Sequence, residues 1–315
     1  MIDTRRPLIE LRHLHRYFGA TRAVQDMSFE VYAGEVFGYI GPNGAGKTTS
    51  MRILATLDEP TSGDAFVDGF SVIDDPDRVR LRLGYMPDYF GTYQNVNVRE
   101  YLDFFARAYG LRGTERKNAI DSVMDFTMLD KLATKPIDGL SKGMKQRLCL
   151  GRTMVHDPAV LILDEPAAGL DPRARIELRE MIAQLAEIGK AVLISSHILT
   201  ELAEICDKVA IIETGCLLAV GTVDEISARS ETSSDVSLRL LDDEQPVINW
   251  FEERGDISNM HVDAGLITLT HEGGQEEQAK LLREIIEAGF QVVEFASKQK
   301  SLEDVFLHVT EGRVQ

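Results

Sequence analysis

The segment Gly41-Pro42-Asn43-Gly44-Ala45-Gly46-Lys47-Thr48 constrains this chain more than any other, because it fits the pattern G-x-x-x-x-G-K-[ST] between a strand signal and a helix signal. Val36–Ile40 is an apolar run suited to a buried strand, and residues 48–57 can form a helix. In that setting the glycines let backbone N–H groups converge on phosphates, while Lys47 brings positive charge to the β and γ groups. The Thr48 hydroxyl can ligate Mg²⁺, with Thr49 beside it at the helix start. Alone, the loop fits any phosphate-loop ATPase or GTPase, and its bland alternative is a tight turn.

A second apolar strand, Val160–Leu163, delivers the adjacent carboxylates Asp164 and Glu165 to a sheet edge of the kind where ligands bind in open α/β folds. Asp164 is expected to hold Mg²⁺ through its water shell, and Glu165 to polarise an attacking water as general base. An Asp-Glu pair after a strand is otherwise a solvated helix start, and the phosphate loop tips the balance toward chemistry. His197 follows the strand at residues 191–195 and is expected at the same edge, against the γ-phosphate or the attacking water. Its alternative is a capping or core histidine.

The remaining elements predict an α/β frame with a parallel core. Strand signals at residues 8–11 and 28–31, with a hairpin at Ala65-Phe66-Val67-Asp68-Gly69, indicate an antiparallel β layer beside the main sheet. Residues 98–109, 115–126 and 141–155 carry apolar side chains at three- and four-residue intervals and read as a helical subdomain. Buried strands return at 191–195 and 209–213, with Asp171-Pro172 opening the helix before them. A Ser- and charge-rich linker at 227–234 leads to strands at 236–241, 259–262, 266–269 and 291–295 and helices at 247–253 and 275–288. That order, βαββαβ, is ferredoxin-like.

The chain's 315 residues, 44% hydrophobic and 27% charged, suit a large soluble domain plus a small one. Its apolar runs fall far short of the roughly 20 residues that cross a bilayer, and the first residues carry no secretory pattern. Cys149, Cys206 and Cys216 lack CxxC spacing and read as reduced, buried thiols. A net charge of −17 with no basic run argues against nucleic acid as a partner.

Taken in order, the phosphate loop, Leu140-Ser141-Lys142-Gly143-Met144-Lys145-Gln146-Arg147, Asp164-Glu165, Gly169-Leu170-Asp171 and His197 closely resemble the motifs of the ATP-binding cassette (ABC) family. The resemblance covers residues 8–225 and implies a P-loop NTPase fold. It implies an ABC-type nucleotide-binding domain over 8–230, with the helical subdomain at about 88–155, and a small C-terminal accessory domain over 235–315. It also implies ATP and Mg²⁺ as cofactors and a homodimer, or a pair with another ABC ATPase. In such a dimer each ATP lies between one phosphate loop and the partner's signature, here Ser141, Lys142, Gly143 and Met144. Ser141 and Gly143 put a hydroxyl and N–H groups at a positive helix end, and Ser141 serves equally as a plain N-cap. Asp171 falls in the dimer-contact loop, Glu165 and His197 take the catalytic positions, and Phe18, with Tyr17 as runner-up, aligns with the ring that stacks on adenine.

Two departures stand out. Met86-Pro87-Asp88 carries an aspartate where the family usually has a metal-contacting glutamine, and Lys142 and Met144 replace the commoner glycine and glutamine. Ser301-Leu302-Glu303-Asp304-Val305-Phe306 looks like the closing motif of ATPases serving ABC-2-type exporters of the drug, antibiotic or sodium kind. That branch implies an ATPase peripheral to the inner face of the cell membrane, driving export through a separate permease. Residues 88–94, with Tyr89, Phe90 and Tyr93, are the expected permease contact, or else helical-subdomain core. A soluble cassette acting in translation or DNA repair, and a regulator whose C-terminal domain binds a small molecule, are the alternatives.

Overall fold

The computed structural model describes residues 6–89, 91, 95–198, 202, 204–228, 233–241, 244–252, 254–263 and 265–298. Phe90, Tyr93, linker residues 229–232 and the closing motif at 301–306 lie outside them. The chain divides into two compact units, one running through Val223 and the other starting at Asp224.

In the first unit, β6 (Leu83–Met86), β7 (Val160–Leu163), β8 (Ala191–Ser196), β3 (Val36–Ile40) and β9 (Lys208–Glu213) lie side by side and parallel. Every residue of β3, β7 and β8 is buried, as expected where both faces of a parallel sheet are covered. An antiparallel group, β1 (Ile9–Phe18), β2 (Thr21–Val31), β4 (Ser62–Val67) and β5 (Phe70–Ser71), forms the rest. The Asp68-Gly69 turn works as its residues predict: both take positive φ, 49° and 75°, and Val67 pairs with Phe70 across it.

The antiparallel group stands beside the parallel strands as the sequence predicts, and the two are joined at one edge. A tenth strand, β10 (Cys216–Gly221), folds back on β9 and meets β2 in parallel at Cys216–Gln25, so all ten strands form one sheet. The mostly half-exposed side chains of β10 give no buried apolar run by which a strand would announce itself.

The helix α1 (Lys47–Leu54) leaves the end of β3, and α2 (Pro76–Arg82) precedes β6. Helices α3 (Val98–Ala108), α4 (Gly113–Phe126) and α5 (Lys142–Met154) bury Val98, Leu102, Ile120, Val123 and Leu148 against one another as a helical subdomain. The start of α3 is fixed by a capping box: Asn97 Oδ1 accepts from the Glu100 N–H at 2.9 Å, and Glu100 Oε2 accepts from the Asn97 N–H at 2.9 Å. Helix α6 (Pro172–Glu187) connects β7 to β8, and α7 (Val223–Ala228) follows β10.

The second unit contains β11 (Ser233–Leu240), α8 (Gln245–Glu252), β12 (Ile257–Asp263), β13 (Leu266–Glu272), α9 (Gln275–Glu287) and β14 (Val292–Lys298). Its strands are ordered β12-β13-β11-β14 and are all antiparallel to their neighbours, the ferredoxin-like arrangement. Val236, Leu238, Phe251, Ile267, Leu281 and Ile285 fill its core.

Replacing Asn97 with alanine removes half of the capping box. The unfolding free energy from urea titration is expected to fall by about 1 kcal/mol.

Candidate nucleotide site

Three features of the chain grip the loop after β3. A side chain at Gly41 would collide with the Ile212 carbonyl of β9, and one at Gly46 with the Ala23 carbonyl of β2. The Gly215 N–H between β9 and β10 donates to the Ala45 carbonyl at 3.0 Å. Gly46 caps α1 in the left-handed region, φ 100°, with no side chain covering the helix end and no acid in its first turn. The positive end of α1 and its first N–H groups therefore face an anion site.

Lys47 is buried, and its Nζ donates to the carbonyls of Gly41 at 2.5 Å and Pro42 at 3.1 Å. Burial lowers its pKa, while Glu165 and Asp164 act to raise it. Around it lies a cleft of about 740 Å³, lined by Asn43, Gly44, Ala45, Gly46, Lys47, Thr48 and Thr49, by residues 20–23 and Gln25, and by Asp88 and Glu165.

The acids sit where β7 ends. Asp164 is fully buried, and the Ser195 hydroxyl of β8 donates to its Oδ1 at 2.6 Å. The same hydroxyl oxygen accepts the Glu165 N–H at 2.9 Å. Burial raises the Asp164 pKa above its usual value, the nearby hydroxyls of Ser195 and Thr48 pull it back, and the charges of Asp88 and Glu165 push it up again. Asp164 Oδ2 has no hydrogen-bond partner. Glu165 takes a positive φ of 48°, and its Oε2 lies 2.8 Å from Nδ1 of the half-exposed His197.

Lys47, Thr48, Asp88, Asp164, Glu165 and His197 are thus connected around one cleft. Asn43, Gly44, Ala45, Gly46 and Thr49 of the phosphate loop line it too, while the expected residues outside these elements stand apart. Phe18 is 47% exposed at the end of β1, with the Arg16 guanidinium 4.3 Å from its ring centre, and residues 20–23 just after it line the cleft. Tyr17 hydrogen-bonds through its hydroxyl to His15 Nδ1 at 2.9 Å. Ser141 caps α5, accepting the Met144 N–H at 3.3 Å, and Asp171 caps α6, accepting the Ala174 N–H at 3.0 Å. Neither lines the cleft, and nor do Lys142, Gly143 or Met144. Ser195 escaped the sequence reading. Its one local signal is a hydroxyl at the exit of a buried strand, two residues before His197.

Residues 24–168 match the family model of the ABC transporter, and residues 221–310 match that of the C-terminal domain of DrrA1-3-like ATP-binding proteins. The chain is 34% identical to the bacitracin transport ATP-binding protein BcrA of Bacillus licheniformis over 97% of this chain and 98% of that protein. It is 39% identical to the probable multidrug ABC transporter ATP-binding protein YbhF of Escherichia coli over 71% of this chain, but spans only 38% of YbhF. A solved structure of an ATP-binding subunit of an ABC transporter superposes with a TM-score of 0.65 at 31% identity, over 71% of this chain and 93% of that one.

The buried Asp164 gives a signed stability prediction. With its folded pKa raised, the group favours the fold when neutral, and that contribution is lost as pH rises through the raised value. Asp164→Asn, which mimics the neutral acid and keeps the acceptor for Ser195, is expected to raise the thermal midpoint at neutral pH, with the gain shrinking toward acidic pH.

Proposed function

As the chain belongs to the ATP-binding subunits of the ABC transporter family, we propose that it dimerises on ATP, hydrolyses it to ADP and phosphate, and drives export through a separate ABC-2-type membrane permease. The observation that carries this reading is the linked set Ser195, Asp164, Glu165 and His197 set against the phosphate-loop cleft.

The loop N–H groups and Lys47 bind and orient the β- and γ-phosphates, which keeps the γ-phosphorus in line with an attacking water. Glu165 Oε takes that water's proton as oxygen bonds to phosphorus and the bond to the bridging oxygen of ADP breaks. His197, hydrogen-bonded to Oε2, holds the carboxylate in place. The residues fit Mg²⁺: buried Asp164 Oδ2 lacks a partner, the Thr48 hydroxyl is a neighbour, and Asp88 lines the same cleft. When bound, the ion neutralises phosphate charge. Asp88 replaces a neutral amide by an anion here, adding attraction for the cation.

The signature turn at Ser141 is separate from the chain's own cleft lining, which fits a site completed by a second subunit. No helix among the described residues is long and apolar enough to cross a membrane. A pocket of about 330 Å³ beside β6, lined by Leu57, Leu83, Tyr85, Phe105, Tyr109 and Arg152, offers the permease an apolar seat. Tyr89, 78% exposed, and the exposed Phe104 add anchors of the type that dominate interfaces. Residues 8–230 act in this reading as the nucleotide-binding domain, and the C-terminal domain as an accessory.

Glu165→Gln is expected to keep ATP affinity within about twofold while turnover falls at least about 100-fold. Unchanged hydrolysis removes Glu165 as the base. For Asp88, the alanine variant is expected to need several-fold more Mg²⁺ for half-maximal binding of a fluorescent ATP analogue. An unaltered Mg²⁺ titration excludes Asp88 from the cation site.

A further inference from the structure

We propose that the buried hydroxyls of Tyr39 and Ser50 form a chain that aims and strengthens the backbone N–H donors of Lys47 and Thr48 toward the nucleotide's phosphates, a positioning role that rests on the nucleotide reading above. Both residues are fully buried, Tyr39 in β3 and Ser50 in α1. They belong among Phe29, Phe37, Met51, Ile53 and Leu54, an apolar core that a phenylalanine and an alanine would fill with no polar group to desolvate. A serine that bonds back to its own helix slightly weakens and bends it, so folding alone gives no reason for Ser50 here.

The hydrogen bonds give the pair a direction. The Tyr39 and Ser50 hydroxyl oxygens lie 2.8 Å apart, and Ser50 Oγ lies 2.9 Å from the Lys47 carbonyl and 3.1 Å from the Gly46 carbonyl. Ser50 has a single proton, which those carbonyls take, so Tyr39 donates to Ser50 Oγ. In the reverse order the phenol would be left with the Met27 thioether, a weak acceptor, and the carbonyls would lose the serine proton. Burial raises the Tyr39 pKa, which keeps the phenol protonated and able to donate.

The chain reaches the phosphate site through the peptide plane. In a trans peptide the C=O and the N–H point in opposite directions, so a carbonyl held toward the core turns its N–H away from it. The Gly46 carbonyl, which also accepts the Ser50 N–H at 3.1 Å, shares its peptide with the N–H of Lys47, and the Lys47 carbonyl shares its own with that of Thr48. These N–H groups open α1, where the helix itself supplies no acceptor and no side chain caps them. Hydrogen bonds in series polarise one another, so a donor on the carbonyl makes the N–H across the same peptide a better donor to an anion.

The test uses the full chain and reads its affinity for a fluorescent ATP analogue with Mg²⁺, displacement of that probe by inorganic tripolyphosphate, and the thermal midpoint. Tyr39→Phe keeps the ring and should weaken both affinities about threefold, and Ser50→Ala about tenfold. The double variant should bind no more weakly than Ser50→Ala alone, because the phenol acts only through the serine. Its thermal midpoint should rise above that of Ser50→Ala, since the phenol is then no longer buried without a good partner. If the unmodified chain binds neither probe, the nucleotide reading fails and the hydroxyl chain falls with it. If it binds both and neither single variant changes the affinities, the hydroxyl chain alone is overturned. Affinity that recovers together with the thermal midpoint in the double variant shows a packing effect and overturns it too. So does a loss confined to the ATP analogue, or a double loss equal to the product of the single ones.

Discussion

The Ser195 hydroxyl donates to Asp164 Oδ1 and accepts from the Glu165 N–H, tying the end of β8 to the end of β7. Both functional carboxylates depend on this one group. Without it Asp164 would bury two unpaired oxygens instead of one, and Glu165 would lose the bond that supports its positive φ of 48°. His197 reaches Glu165 only because the backbone holds that turn, so the geometry of the general base descends from the same hydroxyl.

The site is held together at a cost to the fold. Burial shifts the pKa of Asp164 upward and that of Lys47 downward, both against the charged form each group uses to meet a nucleotide and its cation. The walls around these groups are closely packed. Completely buried strands lie on either side, and the phosphate loop is wedged between the carbonyls of Ile212 and Ala23. Stability and phosphate binding pull in opposite directions here, which is common where a site must be ready before its ligand arrives.

Much of this was legible in the sequence because it is written locally. Val36–Ile40 and Val160–Leu163 are unbroken apolar runs and became strands with those bounds. Asp68-Gly69 carries its own turn chemistry, and Asp171-Pro172 its own helix start. What escaped depends on distant pairing. Ser195 is distinguished only by meeting Asp164 across 31 positions, and β10 only by folding back on β9. The wall at residues 20–23 is set by where β2 runs and carries no motif of its own. Asp88 was visible as a departure from a pattern at an expected metal contact, and the fold brings its charge near Asp164.

The junction between β10 and β2 has a mechanical meaning. Two broad plates, one parallel and one antiparallel, share a seam made by the single register pair Cys216–Gln25, reinforced by the Gln25 N–H to the Gly215 carbonyl and the Gln25 amide to the Thr214 carbonyl. Few cross-strand bonds span that line, so the two groups of strands are tied there by these contacts. The seam runs past Ala23 and Gly215, the residues pressed against the phosphate loop. The loop that meets the phosphates is thus braced against the one line along which the two groups of strands are joined.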